Sequence, residues 1–170
     1  LVASKDDELY IFGTSYSVDY PISKKAFQKS KSIGTDIIVS KLNHAGSKLL
    51  ASTYVGGNDD DGLNSTADLR YNYADDFRGE ITLDVNEEVW VASSTNSTNF
   101  PTQNPSQKDL KGFLDGCIFH LDTGLSQMRW GTYFGGKSND ALYSIELDKK
   151  QNVFVSGGTK SDSLDVDTIY

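Results

Sequence analysis

A dense run of metal-ligating oxygen atoms stands at positions 58–62, where the sequence reads Asn-Asp-Asp-Asp-Gly. Hard carboxylate oxygens at this density suit calcium. The spacing is not that of an EF-hand, because counting from Asp59 places Asn64 where the loop glycine belongs and Arg70 where the last carboxylate belongs. We predict a solvated acidic turn and no cofactor, with calcium as the alternative. For that alternative, the predicted ligands are Asp59, Asp60, Asp61, Asp75 and Asp76.

A group of aromatic side chains follows the acidic run. It comprises Tyr71, Tyr73 and Phe77, with Arg78 directly after them. Aromatic residues and arginine are enriched where proteins contact their partners. We predict that these four residues bind a protein or glycan ligand. The alternative is that the same side chains fold back as a lid over the neighbouring sheet.

Residues suited to acid–base or nucleophilic catalysis are sparse. The two histidines, His44 and His120, fall in different repeats, and neither has a serine, a cysteine or a ligand cluster at a telling spacing. Cys117 is the one cysteine, which excludes an internal disulfide and predicts a small buried thiol. We therefore predict no catalytic residues and no enzymatic activity for this chain by itself.

Two glycine pairs define a long internal period. The sequence Thr-Tyr-Val-Gly-Gly at 53–57 recurs as Thr-Tyr-Phe-Gly-Gly at 132–136, and Thr53 and Thr132 lie 79 residues apart. Asp36 and Asp115, each beginning an apolar run, keep the same offset. A third set of similar apolar segments starts at Leu9, Val89 and Val153, with offsets of 80 and 64 residues. Because the offsets are unequal, we predict an insertion in the middle copy of the repeat. Such a repeat decides the architecture.

Each repeat holds four short apolar or β-branched runs bounded by Gly, Asn, Asp and Ser, the pattern expected of strands. In the middle copy these runs cover residues 79–84, 88–95, 115–121 and 127–134. Several runs are continuously apolar, which predicts sheets covered on both faces. We predict an all-β protein whose four-stranded antiparallel sheets stack as the blades of a β-propeller. A β-solenoid is the alternative, although its turns are usually much shorter.

The repeat boundaries predict about two and a half blades of one larger propeller domain. Residues 1–57 form a partial blade, 58–136 a complete blade with an inserted loop at about 63–78, and 137–170 the start of a further blade. The chain opens within a strand, so we expect a fragment of a larger protein. The long connections all fall on one rim, and binding residues often lie on loops that a rigid frame carries. That rim is the expected ligand face, with variable decoration as the alternative.

The order of these motifs resembles the bacterial SBBP, or seven-bladed β-propeller, repeat. The matching segments are 133–136, 139–140, 145–148, 153–157, 100–101 and 36–43. Two departures stand out, namely the long inserted loop and Ala92-Ser93 where a Thr-Gly is common in the family. The resemblance implies a secreted or cell-surface location in Bacteroidetes, where many such proteins leave by the type IX secretion route. It implies no catalytic residues.

The charge balance is acidic, with 16 Lys and Arg against 24 Asp and Glu and a net charge of −8. This disfavours nucleic acid as a partner, and no apolar run is long enough for direct membrane insertion. We expect a non-catalytic binding or structural module, in adhesion or surface motility, whose first partner is the remainder of the same propeller. The alternatives are a lyase or hydrolase with its site at the channel mouth, or a secretion substrate bound to type IX export machinery.

Overall fold

The structure is a computed structural model that describes residues 1–164. Residues 165–170, the end of the predicted third blade, lie outside the described part of the chain. The described residues form an all-β fold of ten strands with two short 3-10 turns, η1 (Ala67–Leu69) and η2 (Asp75–Phe77). The strands are β1 (Val2–Ala3), β2 (Leu9–Ser15), β3 (Asp36–Leu42), β4 (Leu49–Val55), β5 (Glu80–Leu83), β6 (Val89–Thr95), β7 (Asp115–Leu121), β8 (Met128–Phe134), β9 (Asp140–Leu147) and β10 (Val153–Thr159).

The strands pair in chain order into three antiparallel sheets. Strands β1 to β4 form the first sheet, β5 to β8 the second, and β9 and β10 the third. We call each sheet with its connecting loops the first, second and third unit. The first two sheets share one register, because Ser15 pairs with Asp36 as Thr95 pairs with Asp115. The expectation of four-stranded antiparallel sheets is confirmed.

Tight turns joining the first two strands of each unit are built alike. Asp7, Glu87 and Gln151 all adopt positive φ angles, of 58°, 62° and 67°. In the second unit Asp84 Oδ1 accepts hydrogen bonds from the backbone N–H of Asn86 at 2.8 Å and of Glu88 at 3.0 Å. This capping fixes the Asp84 carboxylate in one orientation.

Buried side chains connect neighbouring sheets face to face. One cluster joins the first and second units, and its large members include Tyr10, Phe119 and Tyr133. Another joins the second unit to the third by packing Ile118 of β7 with Ile145 of β9. Burial on both faces explains why runs such as 117–119 are continuously apolar.

Both glycine pairs owe their presence to close packing. A Cβ at Gly56 would lie 2.6 Å from the Asp36 carboxyl carbon, and one at Gly135 would lie 2.7 Å from that of Asp115. Neither glycine has a positive φ angle, so backbone conformation is not what requires glycine there. Glycine is required here because any side chain would displace the aspartate.

Those aspartates organise the long connection between the second and third strands. Gln107 Nε2 donates to Asp115 Oδ2 at 2.8 Å, and the Gly135 N–H donates to Gln107 Oε1 at 3.0 Å. In the first unit Gln28, with Asp36, makes the same contacts at 2.8 Å and 3.0 Å. These aspartates also hold loop backbone directly, since the Lys111 N–H donates to Asp115 at 2.9 Å.

An insertion divides the first strand of the second unit. Asp61 pairs with Thr95, and Glu80 resumes pairing at Ala92. In the third unit β9 makes the corresponding contacts as one strand from Asp140. Residues 62–79 therefore replace a segment that spans only 141–143 in the third unit, close to the predicted insertion at about 63–78.

Candidate functional site

The insertion is anchored by one deeply buried side chain. Leu69 is 1% exposed and packs with Leu114 and Ala141. Its carbonyl accepts hydrogen bonds from Tyr143 Oη at 2.6 Å and from Asn64 Nδ2 at 3.0 Å. The insertion is thus an ordered structure held between the second and third units.

Asp75 holds the far side of the insertion together. Its buried carboxylate accepts the N–H of Asn72 at 2.7 Å and of Tyr71 at 2.9 Å, and pairs with the Arg78 guanidinium at 3.1 Å. Burial raises the pKa of Asp75, but these hydrogen bonds outweigh burial and hold the pKa below its usual range. Asp75 therefore remains ionised and stabilises the loop.

The aromatic side chains of the insertion point to solvent. Tyr71, Tyr73 and Phe77 are 71%, 102% and 52% exposed. They do not form the lid that sequence left open as an alternative. Tyr71 has the Lys160 ammonium 5.8 Å from its ring centroid. A shallow concavity of about 540 Å³ is lined by Ala67, Arg70, Asn72, Tyr73, Ala74, Asp76 and Phe77.

Arg78, predicted to contact a ligand, has a different environment. Its guanidinium lies 5.2 Å from the ring centroid of Tyr143 and pairs with Asp75. Its side chain is 48% exposed. Arg78 thus links the insertion to β9, whereas Arg70, paired with Asp76 at 2.7 Å, lines the concavity.

The predicted calcium ligands are spread over separate contacts. Asp59 accepts the Asp60 N–H at 2.9 Å, Asp60 accepts the Thr35 N–H at 2.9 Å, and Asp76 pairs with Arg70. Within residues 1–164, three metal-ligating side chains converge at one place only, which contains none of the five predicted ligands. Calcium binding at the acidic run stays the alternative prediction.

Asp61 is the most buried of these carboxylates. It accepts the Gly57 N–H at 2.6 Å, the Ser97 hydroxyl at 2.9 Å and the Thr95 hydroxyl. Burial raises the pKa of Asp61 to about 7, although these hydrogen bonds act in the opposite direction. Asp61 joins the end of the first unit to β6 of the second.

The histidines and the cysteine occupy unlike surroundings. His44 is exposed in the turn between β3 and β4, while Cys117 is fully buried, and burial raises the pKa of its thiol well above its usual range. His120 lies on β7 beside Asp84 and Glu88. Sequence reasoning overlooked this group, because its members at 84, 88 and 120 meet only through the β6–β7 register.

Comparison with known proteins gives no family assignment. No protein-family model matches the chain, and no curated protein matches it significantly. Across residues 1–164 the structure contains no helix with the length and apolar character needed to cross a bilayer.

Proposed function

We propose that this chain is a run of blades from a larger β-propeller, and that it is a non-catalytic module that binds a protein partner through the exposed aromatic surface of its insertion. The exposed aromatic surface is defined as Tyr71, Tyr73 and Phe77. The observation that carries the proposal is their exposure on a loop whose base is buried and hydrogen bonded. Several large aromatic side chains exposed on one ordered loop are typical of an interaction site.

Contacts between units support the propeller arrangement. Glu80 at the start of β5 accepts the Ile145 N–H of β9 at 3.0 Å, so the first strands of the second and third units are neighbours. The corresponding turns also touch, since Lys5 Nζ donates to the Val85 carbonyl at 2.9 Å and the Val85 N–H donates to Gln151 Oε1 at 3.1 Å. Adjacent first strands with face-to-face sheets are the arrangement found around a propeller axis.

The character of the insertion favours binding over catalysis. Tyrosine and phenylalanine supply large contact areas with little rotamer entropy to lose. Their backbone is already fixed by Leu69 and Asp75, so association need not order the loop. Its concavity is open and its charged pair, Arg70 with Asp76, is suited to the polar rim of an interface.

Photo-crosslinking tests this function. A photoreactive phenylalanine analogue is placed at Tyr73 of the full-length protein in its source cells, and at Val85 as the matched control. Val85 is 58% exposed and lies in a turn at the opposite end of the strands. We expect a discrete crosslinked protein from position 73 that is absent from position 85. Crosslinks at both positions or at neither would contradict the proposal, and crosslinking to glycan alone would replace its partner class.

A stability control separates contact from core packing. The Tyr71→Ser/Tyr73→Ser double variant should melt within about 2 °C of the wild type, since exposed substitutions change stability by roughly 0.5 kcal/mol or less. The same variant should weaken capture of the crosslinked partner. A large fall in melting temperature would show that these tyrosines are part of the core.

We also place the module in a secreted or cell-surface protein, and support for this location comes from the resemblance to SBBP repeats. Fractionation of source cells with an antibody against the module tests the location. Recovery from the medium or the cell surface is the expected result, and recovery from the cytoplasm would overturn it.

A further inference from the structure

Three side chains that can bind a metal ion converge beside the turn between β5 and β6. His120 Nε2 lies 3.1 Å from Glu88 Oε2 and 3.5 Å from Asp84 Oδ2. Ligand atoms of all three residues lie within 4.8 Å of one another. Their side chains are only 13%, 20% and 9% exposed, so the group is largely shielded from solvent.

The imidazole nitrogen lies within 3.5 Å of both carboxylates but is not aligned as a hydrogen-bond donor to either. His120 Nε2 is buried and has no hydrogen-bond partner among the described residues, despite its short distances to Glu88 and Asp84. A buried polar nitrogen normally finds a partner. The three ligand atoms therefore lie close enough together to share one ion.

Neighbouring groups orient each ligand. Asp84 uses Oδ1 to cap the β5–β6 turn, which leaves Oδ2 facing His120. Glu88 uses Oε1 to accept the Arg129 Nε–H at 3.1 Å, which leaves Oε2 facing His120. The His120 ring stacks on Trp90, with centroids 4.3 Å apart and an interplanar angle of 13°. Outer contacts of this kind fix metal ligands before the ion binds.

In the first unit, the position equivalent to His120 holds a lysine, Lys41. Lys41 pairs with Tyr10 across β2 and β3 just as His120 pairs with Trp90 across β6 and β7. The Lys41 ammonium forms an ion pair with Glu8, the counterpart of Glu88. A cation therefore lies against this glutamate in the first unit. In the second unit the lysine becomes histidine, and a further carboxylate, Asp84, replaces Ser4.

We propose that Asp84 Oδ2, Glu88 Oε2 and His120 Nε2 bind a divalent transition-metal ion, and that zinc is the ion this donor set fits. In a tetrahedral zinc site with bonds of about 2.0–2.1 Å, ligand atoms lie roughly 3.3 Å apart. The two distances from His120 Nε2 bracket that value. An imidazole ligand favours zinc over calcium, which takes oxygen donors. Three protein ligands leave a fourth position for water.

The charges around Asp84, Glu88 and His120 also favour a bound cation. The group brings two carboxylates, those of Asp84 and Glu88, next to the His120 ring. The Arg129 guanidinium offsets part of this charge, but it lies on the outer oxygen of Glu88. A bound dication supplies the missing positive charge.

Calorimetric titration of the chelator-treated chain with zinc tests the site. We expect one equivalent to bind with high affinity. Cobalt is a second probe, because Trp90 lies against the ligand ring and its fluorescence should fall as the paramagnetic ion binds. The chain has two tryptophans, so a Trp130→Phe background isolates the Trp90 signal.

Two histidine variants make the assignment specific. His120→Lys reproduces the first unit's ion pair and removes one zinc ligand. Loss of a residue that only orients a ligand weakens metal binding about tenfold to a hundredfold, so this variant should weaken zinc binding by at least that much. His44→Ala removes the exposed histidine and should leave the affinity unchanged. Glu88→Gln keeps the oxygen that accepts Arg129 but loses the charge, and should weaken binding as well.

The outcomes decide the proposal in both directions. Loss of zinc binding in His120→Lys and Glu88→Gln variants that still melt cooperatively, with retention of binding in His44→Ala, supports it. A wild-type chain that binds no zinc, or a His120→Lys variant that binds as tightly as the wild type, overturns it. This test is independent of the insertion, so its failure leaves the proposed function standing.

Discussion

The first and second units solve the same structural problem with different chemistry at one rim. Both fix their long connections with an aspartate, a glutamine and a tyrosine at equivalent positions, with bond lengths that agree closely. At the rim formed by the turns between the first two strands they diverge, because the first unit has Lys41 where the second has His120. The shared frame shows that the divergence is local, and that a cation position can be changed without altering the sheet.

The protonation state of Lys41 explains why the first unit needs no added ion. Burial lowers the pKa of Lys41, and its contacts with Glu8 and Tyr10 more than offset this, so the pKa lies above its usual range. The ammonium is also 5.1 Å from the Tyr10 ring centroid. The first unit therefore keeps its cation throughout the physiological pH range.

The largest expected effect concerns Asp61, which joins the two units. Its pKa rises from the usual 3.8 to about 7 on burial, so the folded protein binds a proton that the unfolded chain releases between those values. The free energy of unfolding should therefore fall as pH rises from about 4 to about 7, by up to about 4 kcal/mol from this group. Asp61→Asn cannot ionise and should lack this decline.

Urea unfolding at about pH 5 and about pH 8 measures this difference. Asp61→Asn should gain stability relative to the wild type as the pH rises, while the exposed Asp59→Asn should follow the wild type at both values. Parallel curves for all three proteins would show that Asp61 ionises normally in the folded state.

Introducing the proposed zinc ligands into the first unit should give its β1–β2 turn the same metal site as the β5–β6 turn. Ser4 already caps its turn as Asp84 does, by accepting the Asp6 and Glu8 N–H groups. The Ser4→Asp/Lys41→His variant should therefore bind a second zinc ion. At a zinc concentration of a hundred times the dissociation constant, the added site stabilises by about 2.7 kcal/mol. Calorimetry should report two equivalents, and a stoichiometry of one would show that the frame alone does not build the site.

Tyr54 and Tyr133 anchor equivalent loops of the first and second units, but their hydroxyl groups differ in burial. Tyr133 donates to the Ser97 carbonyl at 2.7 Å and accepts the Phe100 N–H at 2.8 Å in fully buried surroundings. Tyr54 makes the equivalent bonds at 2.8 Å and 3.2 Å, but in partly buried surroundings. Tyr133→Phe should cost about 2 kcal/mol because it leaves buried backbone groups unpaired, and Tyr54→Phe about 1 kcal/mol. Chemical denaturation checks the order, and equal costs would contradict it.

The smallest effect is the stability of His120→Lys without metal. The new ion pair with Glu88 is partly buried and should stabilise the chelator-treated chain by roughly 0.5 kcal/mol. High salt should reduce this gain, since screening weakens such pairs. Thermal melts at low and high salt test it, and a destabilised variant would show that Lys cannot adopt the Lys41 arrangement there.

Sequence periodicity predicted most of the frame. Strand β7 covers the predicted run 115–121, and β2, β6 and β10 begin at Leu9, Val89 and Val153 as the repeat predicts, because Gly, Asn, Asp and Ser bound those runs. The insertion was located from unequal repeat offsets alone. Its anchoring by Leu69 could not be predicted, because Leu69 packs on residues of the second and third units that no local pattern connects.

The candidate sites were predicted less completely. The exposure of Tyr71, Tyr73 and Phe77 agrees with a contact surface, but Arg78 lies against Tyr143. The rim site was missed because its ligands are distant in sequence. Aligning the units would have exposed it, since Lys41 and His120 occupy one repeat position opposite the same kind of glutamate.

The placement of the insertion has a consequence for how this protein can change. It interrupts a strand between Asp61 and Glu80, yet both flanks hydrogen bond to β6 and keep the register of the unbroken β9. The sheet therefore imposes no fixed length on what lies between them. The insertion can therefore be replaced by a different peptide segment during evolution while the sheet stays intact. For the same reason, a foreign recognition loop could be grafted there by protein engineering.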